Sequence, residues 1–499
     1  MGEKKDLVEQ RLDNFDQLRE LGVPLYPHRY DQTHTVADLV ARYGGMPAEA
    51  LEKDAVQVQT AGRLINLRGH GKAGFGDLLG AGERIQVYVR QDRVGEENHR
   101  LYQLLDIGDF IGVRGHLFRT RTGELTIFAE RLDFLAKGLL PLPEKWHGLS
   151  DVETRYRQRY LDLIANRSVR EIFVQRSRLI SAIRECLESK GYLEVETPMM
   201  QPLAGGAAAR PFKTFHEALG IPLFLRIAPE LYLKRLIVGG FERVFEINRS
   251  FRNEGISTQH NPEFTMLEFY QAYSDYRDLM DFTEEMFQQV VGKVMGTLEL
   301  TFAGEVVDFG KFRRYSLVEA LRKFWRDGPA PSAEELCDRE QLVHLTGKLG
   351  IFSEPGAGWG HMQVELFEHV VEEQLIQPTI IHDFPAELSP LAKTRSDDPR
   401  FAERFELYAG GLEVANAYSE LNDPREQEKR FRQQAEDRAR GNEEAHGMDD
   451  DYIRALNYGM PPTAGEGIGI DRLAMILTDS PSIREVILFP QLRPESDCA

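Results

Sequence analysis

A proline-punctuated run, Leu139-Leu-Pro-Leu-Pro143, separates two stretches of very different composition. Such a run forms a stiff spacer between folded domains. The chain has 499 residues, which is long enough for two or three domains. We therefore predict a helical N-terminal extension over residues 1–55, a small domain over 56–140, a linker over 141–165 and a large domain over 166–499.

The small domain is rich in short β-type segments. They lie at 56–64, 84–89, 110–113 and 125–128, and glycine-containing turns separate them. Short strands at this spacing are typical of a small closed sheet. We predict a barrel of about five strands.

A glycine pattern inside that domain resembles a dinucleotide-binding loop. Gly69-His-Gly-Lys-Ala-Gly74 matches the spacing, but in such loops the third glycine begins a helix. Here another β-type segment follows, beginning at Phe75. The pattern therefore favours a β-hairpin.

The formal net charge of −19 bears on possible partners. Taken alone, it argues against a nucleic-acid binder, because phosphates attract Lys and Arg. Binding depends on local charge, however, and arginines cluster at 155–159 and again at Arg167 and Arg170. That cluster fits either a solvated helix face or a surface that contacts nucleic acid, and both interpretations stay open.

The distribution of apolar residues along the chain bears on the cellular location of the protein. No stretch reaches the roughly 18 consecutive apolar residues that a membrane helix needs. Residues 1–6 are charged and lack the apolar centre of a secretory signal. We expect a cytoplasmic protein without membrane spans.

The segment 243–270 has the pattern of an antiparallel hairpin. An alternating strand, 243–251, leads to Arg252 and Glu254 at a glycine turn, and a second strand follows. On that second strand Phe264, Met266, Glu268 and Tyr270 share one face. Charged residues on a strand face usually form a surface salt-bridge ladder, so the hairpin alone does not define a site.

A second segment changes that interpretation. Gly467-Ile-Gly-Ile-Asp-Arg472 is typical of a strand that runs into a helix, with Arg472 in the first turn. Two arginines from distant segments, Arg252 and Arg472, set among carboxylates, suit a nucleoside triphosphate with bound magnesium.

Several segments together resemble class II aminoacyl-tRNA synthetases, and most closely the bacterial-type lysyl-tRNA synthetases. The hairpin and the strand–helix junction resemble the second and third motifs of that class, and 195–200 resembles the first. The resemblance runs from about residue 10 to 495. The segments that carry the subgroup match are Gly205-Gly-Ala-Ala-Ala-Arg-Pro-Phe212, Arg226-Ile-Ala-Pro-Glu-Leu-Tyr-Leu-Lys-Arg235, Arg252-Asn-Glu-Gly255, Asn416-Ala-Tyr-Ser-Glu-Leu-Asn-Asp423 and Pro461-Pro-Thr-Ala-Gly-Glu-Gly-Ile-Gly-Ile-Asp-Arg472.

The resemblance implies an α+β architecture: an N-terminal OB-fold barrel followed by a class II catalytic domain built on an antiparallel sheet. It implies ATP-dependent activation of L-lysine to lysyl-adenylate and transfer of lysine to the 3′ end of tRNA(Lys) for translation. It further implies Mg²⁺ as a cofactor and a homodimer whose interface includes Pro198.

The resemblance also assigns the residues that handle ATP and metal. Arg252 would bridge the amino-acid carboxylate and the α-phosphate, and Arg472 would bind the γ-phosphate; these two are the expected catalytic residues. Glu406 and Glu413 would hold magnesium, which prefers oxygen ligands. The glycine pair between them, 410–411, predicts a tight turn that brings two strands side by side, and an exposed hairpin with incidental charges is the alternative. The expected ATP ligands are Arg252, Glu254, His260, Asn261, Phe264 and Arg472.

Lysine selection requires compensation of an ammonium group that leaves water. A relative specific for aspartate would need a cationic pocket, whereas the matching positions here are acidic. A surface charge is the alternative for each of these carboxylates taken singly, and the assignment rests on their joint match. The implied lysine ligands are Gly206, Glu230, Glu268, Tyr270, Asn416 and Glu420.

The barrel is expected to bind the anticodon. OB-type barrels stack bases on aromatic side chains beside polar groups. Phe75 matches the stacking position, although a role in the barrel core is the alternative for it. The implied anticodon ligands are Arg68, Phe75, Gln86 and Glu124.

Three other functions are compatible with parts of this sequence pattern. They are a ligase for another amino acid, a lysine-activating relative that modifies a protein, and an RNA-binding relative with an inactive site. The acidic pocket argues against the first, the barrel against the second, and the presence of Arg252, Arg472 and both metal carboxylates against the third. Glu466 departs from the small or apolar residue that is frequent at its position, and the segment 325–360 resembles no motif.

Overall fold

The computed structural model describes residues 2–69, 71–143, 149–207, 209–353, 357–439 and 447–494. The chain divides into two compact units between Arg170 and Glu171. The segment proposed as a linker contains two short helices and belongs to the first unit, and its residues 144–148 lie outside the described part. The proposed domain boundaries stay a prediction.

The first unit contains the predicted five-stranded barrel, which is closed with strand order β1-β2-β3-β5-β4. β1 and β2 pair antiparallel on either side of the glycine pattern at 69–74, so the hairpin prediction is confirmed. The elements of this unit are α1 (Gly2–Glu20), α2 (Val36–Tyr43), α3 (Ala48–Asp54), β1 (Gln57–Arg68), β2 (Ala73–Gly80), β3 (Glu83–Arg90), α4 (Gln91–Gln103), β4 (Phe110–Arg119), β5 (Leu125–Ala136), α5 (Val152–Arg157) and α6 (Arg159–Ala165).

Alternation along the strands builds the barrel core. Ile85, Val87 and Val89 of β3 point inward and are buried, while the residues between them face outward. Helix α2 begins where the side chain of Thr35 accepts a hydrogen bond from the backbone N–H of Asp38, which satisfies a donor that the helix leaves free. The core of the first unit is therefore shared between the barrel strands and the helices α1 to α3, which contribute Leu18, Leu39 and Leu51.

The remaining elements form the catalytic part predicted from the sequence. No helix in the described ranges is both long enough and apolar enough to cross a membrane. In chain order the elements are α7 (Arg167–Ser189), β6 (Leu193–Glu194), β7 (Met200–Gln201), β8 (Lys213–His216), β9 (Ile221–Leu225), α8 (Glu230–Val238), β10 (Arg243–Phe251), β11 (Glu263–Ala272), α9 (Tyr276–Met295), β12 (Glu299–Phe302), β13 (Glu305–Asp308), β14 (Arg313–Ser316), α10 (Leu317–Phe324), α11 (Arg339–Leu349), α12 (Trp359–Val370), β15 (Thr379–His382), β16 (Arg404–Ala409), β17 (Leu412–Ser419), α13 (Pro424–Ala439), α14 (Asp450–Asn457), β18 (Thr463–Gly469), α15 (Ile470–Leu477) and α16 (Ile483–Val486).

An eight-stranded sheet organises the second unit, in the order β14-β15-β16-β17-β18-β11-β10-β6. Its six central strands pair antiparallel, as predicted, and the pairs at its two edges, β14 with β15 and β10 with β6, are parallel. Gly410 and Gly411 both have positive φ at the turn between β16 and β17, which confirms the tight turn predicted there.

The two faces of this sheet have different roles. Leu267 and Phe269 of β11 enter the main hydrophobic core together with residues of α7, α9 and α15. Met266, Glu268 and Tyr270 alternate with them and line a cavity on the opposite face. The strand period of two therefore separates the core from the site, and the shared face predicted for these side chains is confirmed.

The segment 325–360, for which the sequence offered no motif, contributes to a second core. Leu336 and Leu342, the latter on α11, are fully buried against Leu366 of α12. Residues 354–356 lie outside the described part. The described residues of the segment thus include a packed structural element.

Candidate active site

A cavity of about 760 Å³ opens on the sheet face opposite the main core. It brings together residues from β11, β16, β17 and β18, from the loop that follows β10, and from the first turns of α8 and α15. Of the predicted ATP, metal and lysine ligands, all but Glu420 line it: Gly206, Glu230, Arg252, Glu254, His260, Asn261, Phe264, Glu268, Tyr270, Glu406, Glu413, Asn416 and Arg472.

Arg252 lies just beyond the end of β10 in this cavity. Its guanidinium carbon lies 5.1 Å from the centre of the Phe264 ring, which supports the side chain as a cation–π pair. Its Nε–H is buried and meets no hydrogen-bond acceptor among the described residues. A buried guanidinium donor of this kind is suited to an anionic ligand.

Arg472 and His260 meet at the same end of the cavity. Arg472 donates from Nη1 to the backbone oxygen of Glu413 at 2.7 Å and to its Oε2 at 3.2 Å. Its Nη2 lies 3.2 Å from Nε2 of His260 and, because arginine only donates, this imidazole nitrogen accepts. Burial and then the charge of Arg472 lower the pKa of His260, which keeps the imidazole neutral.

The residue before Arg472 fixes the helix that carries it. Asp471 is buried, and its carboxylate accepts the backbone N–H of Thr265 at 2.6 Å and Nη2 of Arg176 at 2.5 Å. These bonds join α15 to β11 and to α7. Arg472 therefore projects from an anchored first turn, in agreement with the predicted strand-to-helix junction.

Two carboxylates stand beside the arginine end. Glu406 accepts hydrogen bonds from Tyr408 at 2.5 Å and from Asn416 at 3.1 Å, and Arg404 pairs with it. Burial raises the pKa of Glu406 to about 7, and Glu413 acts in the same direction. The described residues contain no group of three His, Cys, Asp or Glu side chains arranged around a metal. A magnesium ion usually takes only one or two protein carboxylates plus substrate phosphates, so this pair fits it.

The opposite end of the cavity is acidic, and its carboxylates are almost fully buried. Glu230 accepts a hydrogen bond from Tyr418 at 2.5 Å, and Glu268 accepts one from Tyr270 at 3.2 Å. Burial, followed by the charge of Glu230, raises the pKa of Glu268 to about 8. An ammonium ligand would relieve this repulsion between buried carboxylates.

Glu420 does not line the cavity and is paired with Lys234, which was not among the predicted site residues. Glu420 is fully buried, and the ammonium of Lys234 forms ion pairs with both Glu420 and Glu230. Burial alone would lower the pKa of Lys234, but the two carboxylates outweigh it and raise that pKa above its ordinary value. The spacing of four between Glu230 and Lys234 on a helical segment was the available signal.

Strand β18 forms a backbone floor for the acidic end. Gly465, Gly467 and Gly469 alternate on the cavity face, so the floor carries no side chains there. A Cβ at Gly465 would lie 2.3 Å from the Tyr270 ring and 2.4 Å from Oε1 of Glu420. Glycine at that position therefore leaves the space that these two side chains occupy.

The predicted anticodon ligands share the outer face of the barrel. Phe75 pairs with Arg68 across β1–β2 and with Tyr88 across β2–β3, and its ring stacks on Tyr88 with centroids 4.5 Å apart. Gln86 accepts a hydrogen bond from Thr126 at 3.0 Å. Glu124 pairs with Arg84 at 3.0 Å, and both Arg84 and Arg68 approach the buried Asp77. The result is an aromatic platform edged by charged and amide groups.

Two family models match the chain. The model described as tRNA synthetases class II (D, K and N) covers residues 151–493, and the OB-fold nucleic acid binding domain covers residues 58–135. The second match coincides with the closed barrel, and the first contains the whole cavity.

Curated relatives match over nearly the full length. The lysine–tRNA ligase of Carboxydothermus hydrogenoformans is 52 % identical over 493 residues, 99 % of each chain. That of Magnetococcus marinus is 52 % identical over 99 % of this chain and 98 % of its own. That of Bacillus subtilis is 48 % identical over 98 % of each.

Proposed function

Since this chain belongs to the lysine–tRNA ligases of the class II aminoacyl-tRNA synthetases, we propose that it activates L-lysine with ATP and transfers it to the 3′ end of tRNA(Lys). Because translation consumes charged tRNA in the cytoplasm, we assign the protein to that compartment.

One observation carries the proposal: a single cavity has a cationic end and an acidic end. Arg252 and Arg472 provide the cationic end, and Glu230 and Glu268 the acidic end. A triphosphate and an amino acid with a cationic side chain have the complementary charges. The cavity can therefore hold both substrates with the lysine carboxylate directed at the phosphates.

The activation step requires positioning and charge neutralisation more than a protein nucleophile. An oxygen of the lysine carboxylate bonds to the α-phosphorus while the bond to the bridging oxygen breaks, and pyrophosphate leaves. Arg252 would hold the carboxylate and the α-phosphate with its planar fork. Arg472, with neutral His260 beside it, would hold the γ-phosphate as charge moves onto pyrophosphate.

The remaining ATP ligands would orient the nucleoside. Phe264, already in contact with Arg252, would stack on the adenine ring, and Glu254 and Asn261 would lie near the adenosine. Asn261 donates to the backbone oxygen of Glu263 at 2.6 Å, so its side chain is fixed before the nucleotide binds.

Glu406 and Glu413 would hold Mg²⁺ in this arrangement. A bound magnesium ion neutralises charge on the phosphate oxygens. The chain's own contribution is to fix Glu406 through Tyr408, Asn416 and Arg404, and to fix Glu413 through Arg472. Each carboxylate thus has one orientation before substrate enters.

Lysine would lie with its ε-ammonium in contact with Glu230 and within the field of the buried Glu420, and with its α-ammonium near Glu268 and Gly206. Tyr270 and Asn416 would complete the contacts. A site that offers buried carboxylates rejects a neutral isostere, because the carboxylates would then stay uncompensated. Glu230 and Glu268 are both more than nine-tenths buried, which makes this discrimination strong.

The barrel would supply selection of the tRNA. Phe75 would stack on an anticodon base, and Arg68, Gln86 and Glu124 would form hydrogen bonds with base edges. In the transfer step the terminal hydroxyl of the tRNA attacks the carbonyl carbon of lysyl-adenylate, and AMP leaves.

We further propose that the protein is a homodimer. The three-stranded sheet β7-β9-β8 and its surroundings expose several large apolar side chains, among them Met200, Phe215 and Ile221. Pro198 directly precedes this sheet in sequence. Exposed apolar side chains gathered in one region are typical of a protein interface. Sedimentation of the wild-type protein and of Phe215→Glu tests this, with a monomeric wild type as the opposing result.

Pyrophosphate exchange into ATP tests the activation chemistry. Each of the twenty amino acids is supplied in turn with magnesium, and exchange with lysine alone is the expected result. Charging of tRNA(Lys) then tests the transfer step.

Other outcomes would each remove a part of the proposal. Exchange with a different amino acid would overturn the pocket assignment and leave the class II chemistry intact. No exchange with any amino acid, from folded protein, would favour the RNA-binding relative with an inactive site.

A further inference from the structure

Lys234 occupies an unusual place in the acidic end of the cavity. It lies on α8 one turn after Glu230, and its side chain has no exposed surface. Its ammonium lies 2.5 Å from Oε1 of Glu230 and pairs on its other side with Glu420. The protein's own ammonium thus stands between the two carboxylates that we assign to the substrate's ε-ammonium.

The charged groups of this cluster and the phenols around them come from α8, β11, the end of β17 and α14. The carboxylates are Glu230 on α8, Glu268 on β11 and Glu420 just beyond β17. Arg235, also on α8, is paired with Asp449 and Asp451 outside this group. Arg226 and Glu246, which also act on Glu268, form a buried ion pair of their own. The phenols around the carboxylates and the ammonium are Tyr270 of β11, Tyr418 of β17 and Tyr452 of α14.

The charges in this cluster can be counted. Three carboxylates and one ammonium leave a formal charge of −2 when all are ionised. Lysine carries two ammonium groups, and its carboxylate is directed at Arg252. With the substrate bound, its two ammonium groups therefore neutralise the cluster. Without Lys234, one negative charge of the cluster would stay uncompensated.

We propose that Lys234 is a positioning residue that determines specificity: its buried ammonium pairs with Glu230 and Glu420, favours their charged forms and sets the pocket charge to the value that two substrate ammonium groups neutralise. This inference rests on the proposed function, because it assigns the substrate's ammonium groups to these carboxylates. Lys234 acts through Glu230 and Glu420 and does not touch the reacting atoms.

The physical reason lies in the low dielectric of the cluster. Neighbouring buried carboxylates cannot all ionise unless a cation compensates them, so removal of the cation makes them bind protons at higher pH. Burial raises the pKa of Glu268 to about 8 and that of Glu420 well above its ordinary value, and at Glu420 the charge of Lys234 opposes the rise. Protonated carboxylates no longer attract an ammonium ligand.

The test is the pH dependence of lysine binding by Lys234→Met. Calorimetry measures the dissociation constant for lysine from pH 5.5 to 8.5 without ATP, so that no nucleotide group titrates. The ε-ammonium of lysine stays protonated over this range, and its α-ammonium titrates identically for every variant. A difference between variants in the loss of binding on acidification therefore reports the pocket carboxylates. We expect the midpoint of that loss to lie about one pH unit or more above the wild-type midpoint.

Lys137 provides a matched control. It is a second fully buried lysine, set between Asp106 and Asp109 in the barrel unit, and it lies outside the active-site cavity. Lys137→Met repeats the loss of a buried ammonium and should leave the midpoint for lysine binding where it is in the wild type. An equal shift in both variants would contradict the proposal.

A double variant separates charge from packing. Lys234→Met with Glu420→Gln removes one positive and one negative group and restores the formal charge of −2. Its affinity should be weaker than that of the wild type, but its midpoint should return toward the wild-type value. If Lys234 served only to fill space, the second change would add damage without moving the midpoint back. Should Lys234→Met fail to fold, this variant decides the question.

The result also distinguishes this inference from the proposed function. A Lys234→Met midpoint equal to that of the wild type, from protein whose wild type exchanges pyrophosphate with lysine, would overturn the inference alone. A wild-type protein that neither binds lysine nor supports exchange with it would overturn the proposed function first.

Discussion

Arg472 donates a 2.7 Å hydrogen bond to the backbone oxygen of Glu413, so the proposed phosphate ligand is held by main chain as well as by side chains. A backbone acceptor does not titrate and does not change rotamer. The guanidinium is thus fixed before nucleotide arrives, which is the condition for electrostatic stabilisation of a transferring phosphoryl group.

Arg472→Lys should therefore reduce pyrophosphate exchange although it keeps the positive charge. The three N–H groups of a lysine radiate from one atom, so they cannot span Glu413, His260 and a phosphate as the planar guanidinium does. We expect kcat/KM for ATP to fall by about a hundredfold or more. Arg425→Lys, at a side chain that is 91 % exposed, is the control. Exchange within a few-fold of the wild type would contradict the assignment of Arg472.

Glu420→Gln should weaken lysine binding much more than ATP binding. The change removes a fully buried carboxylate from the acidic end and leaves the arginine end as it was. Titration calorimetry with each ligand separately measures both affinities. Glu428→Gln, on the surface of α13, controls for loss of a negative charge. Unchanged lysine affinity in Glu420→Gln would show that the pocket is assigned wrongly.

Glu466→Gln should stabilise the protein, and increasingly so as the pH rises. Glu466 is 1 % exposed on the core face of β18, and burial raises its pKa to about 8. Thr283 lies 2.6 Å from both Glu466 and the backbone oxygen of Leu279. Thr283 has one hydroxyl proton for these two acceptors, so when it donates to Leu279 a protonated Glu466 donates to Thr283. Oε1 of Glu466 meets no hydrogen-bond partner among the described residues.

The direction of this pH dependence follows from the pKa values of Glu466 in the folded and the unfolded chain. In the unfolded chain Glu466 titrates near its ordinary value of about 4.3. Its contribution to stability is fully present below that value and is lost as the pH rises toward about 8. Thermal unfolding at pH 5 and pH 8 should therefore show a larger gain for Glu466→Gln at pH 8. Glu285→Gln, exposed on α9, should show no such trend, and equal gains at both pH values would contradict the explanation.

Phe75→Ala should impair charging of tRNA and leave lysine activation intact. Loss of one stacking platform costs about 1–3 kcal/mol per base, so KM for tRNA should rise at least about fivefold. Pyrophosphate exchange without tRNA checks that the catalytic unit is unaffected. Phe110→Ala, at a half-exposed ring that packs against Arg63, is the control within the barrel. Normal charging by Phe75→Ala would remove Phe75 from the anticodon site.

The sequence predicted the parts of the fold that have a local signal. The hairpin of β10 and β11 was predicted from alternation, and the turn at Gly410 and Gly411 from its glycines. The edge strand β14 was not predicted, because it has four residues and pairs in parallel with a strand far along the chain. Pairing at such a distance leaves no periodic pattern in a short segment.

The site residues were predictable where they match a family motif, and less so where burial determines which side chains reach the cavity. The sequence indicates the acids of the pocket, but not that Glu420 lies behind the cavity wall with Lys234 against it. Only the tertiary packing of α8 against β17 and α14 determines which charges are buried together. The individual ligand assignments stay predictions until the variants are measured.

Closure of the barrel has a consequence for how its RNA preference can evolve. β1 pairs with both β2 and β4, so the strand hydrogen bonds form a complete ring and present no free edge to which another chain could add. Recognition of bases must then depend on the outward side chains, such as Phe75, which take no part in the hydrogen bonds of that ring. Replacement of those side chains can shift the bases that are read while the scaffold that presents them stays folded.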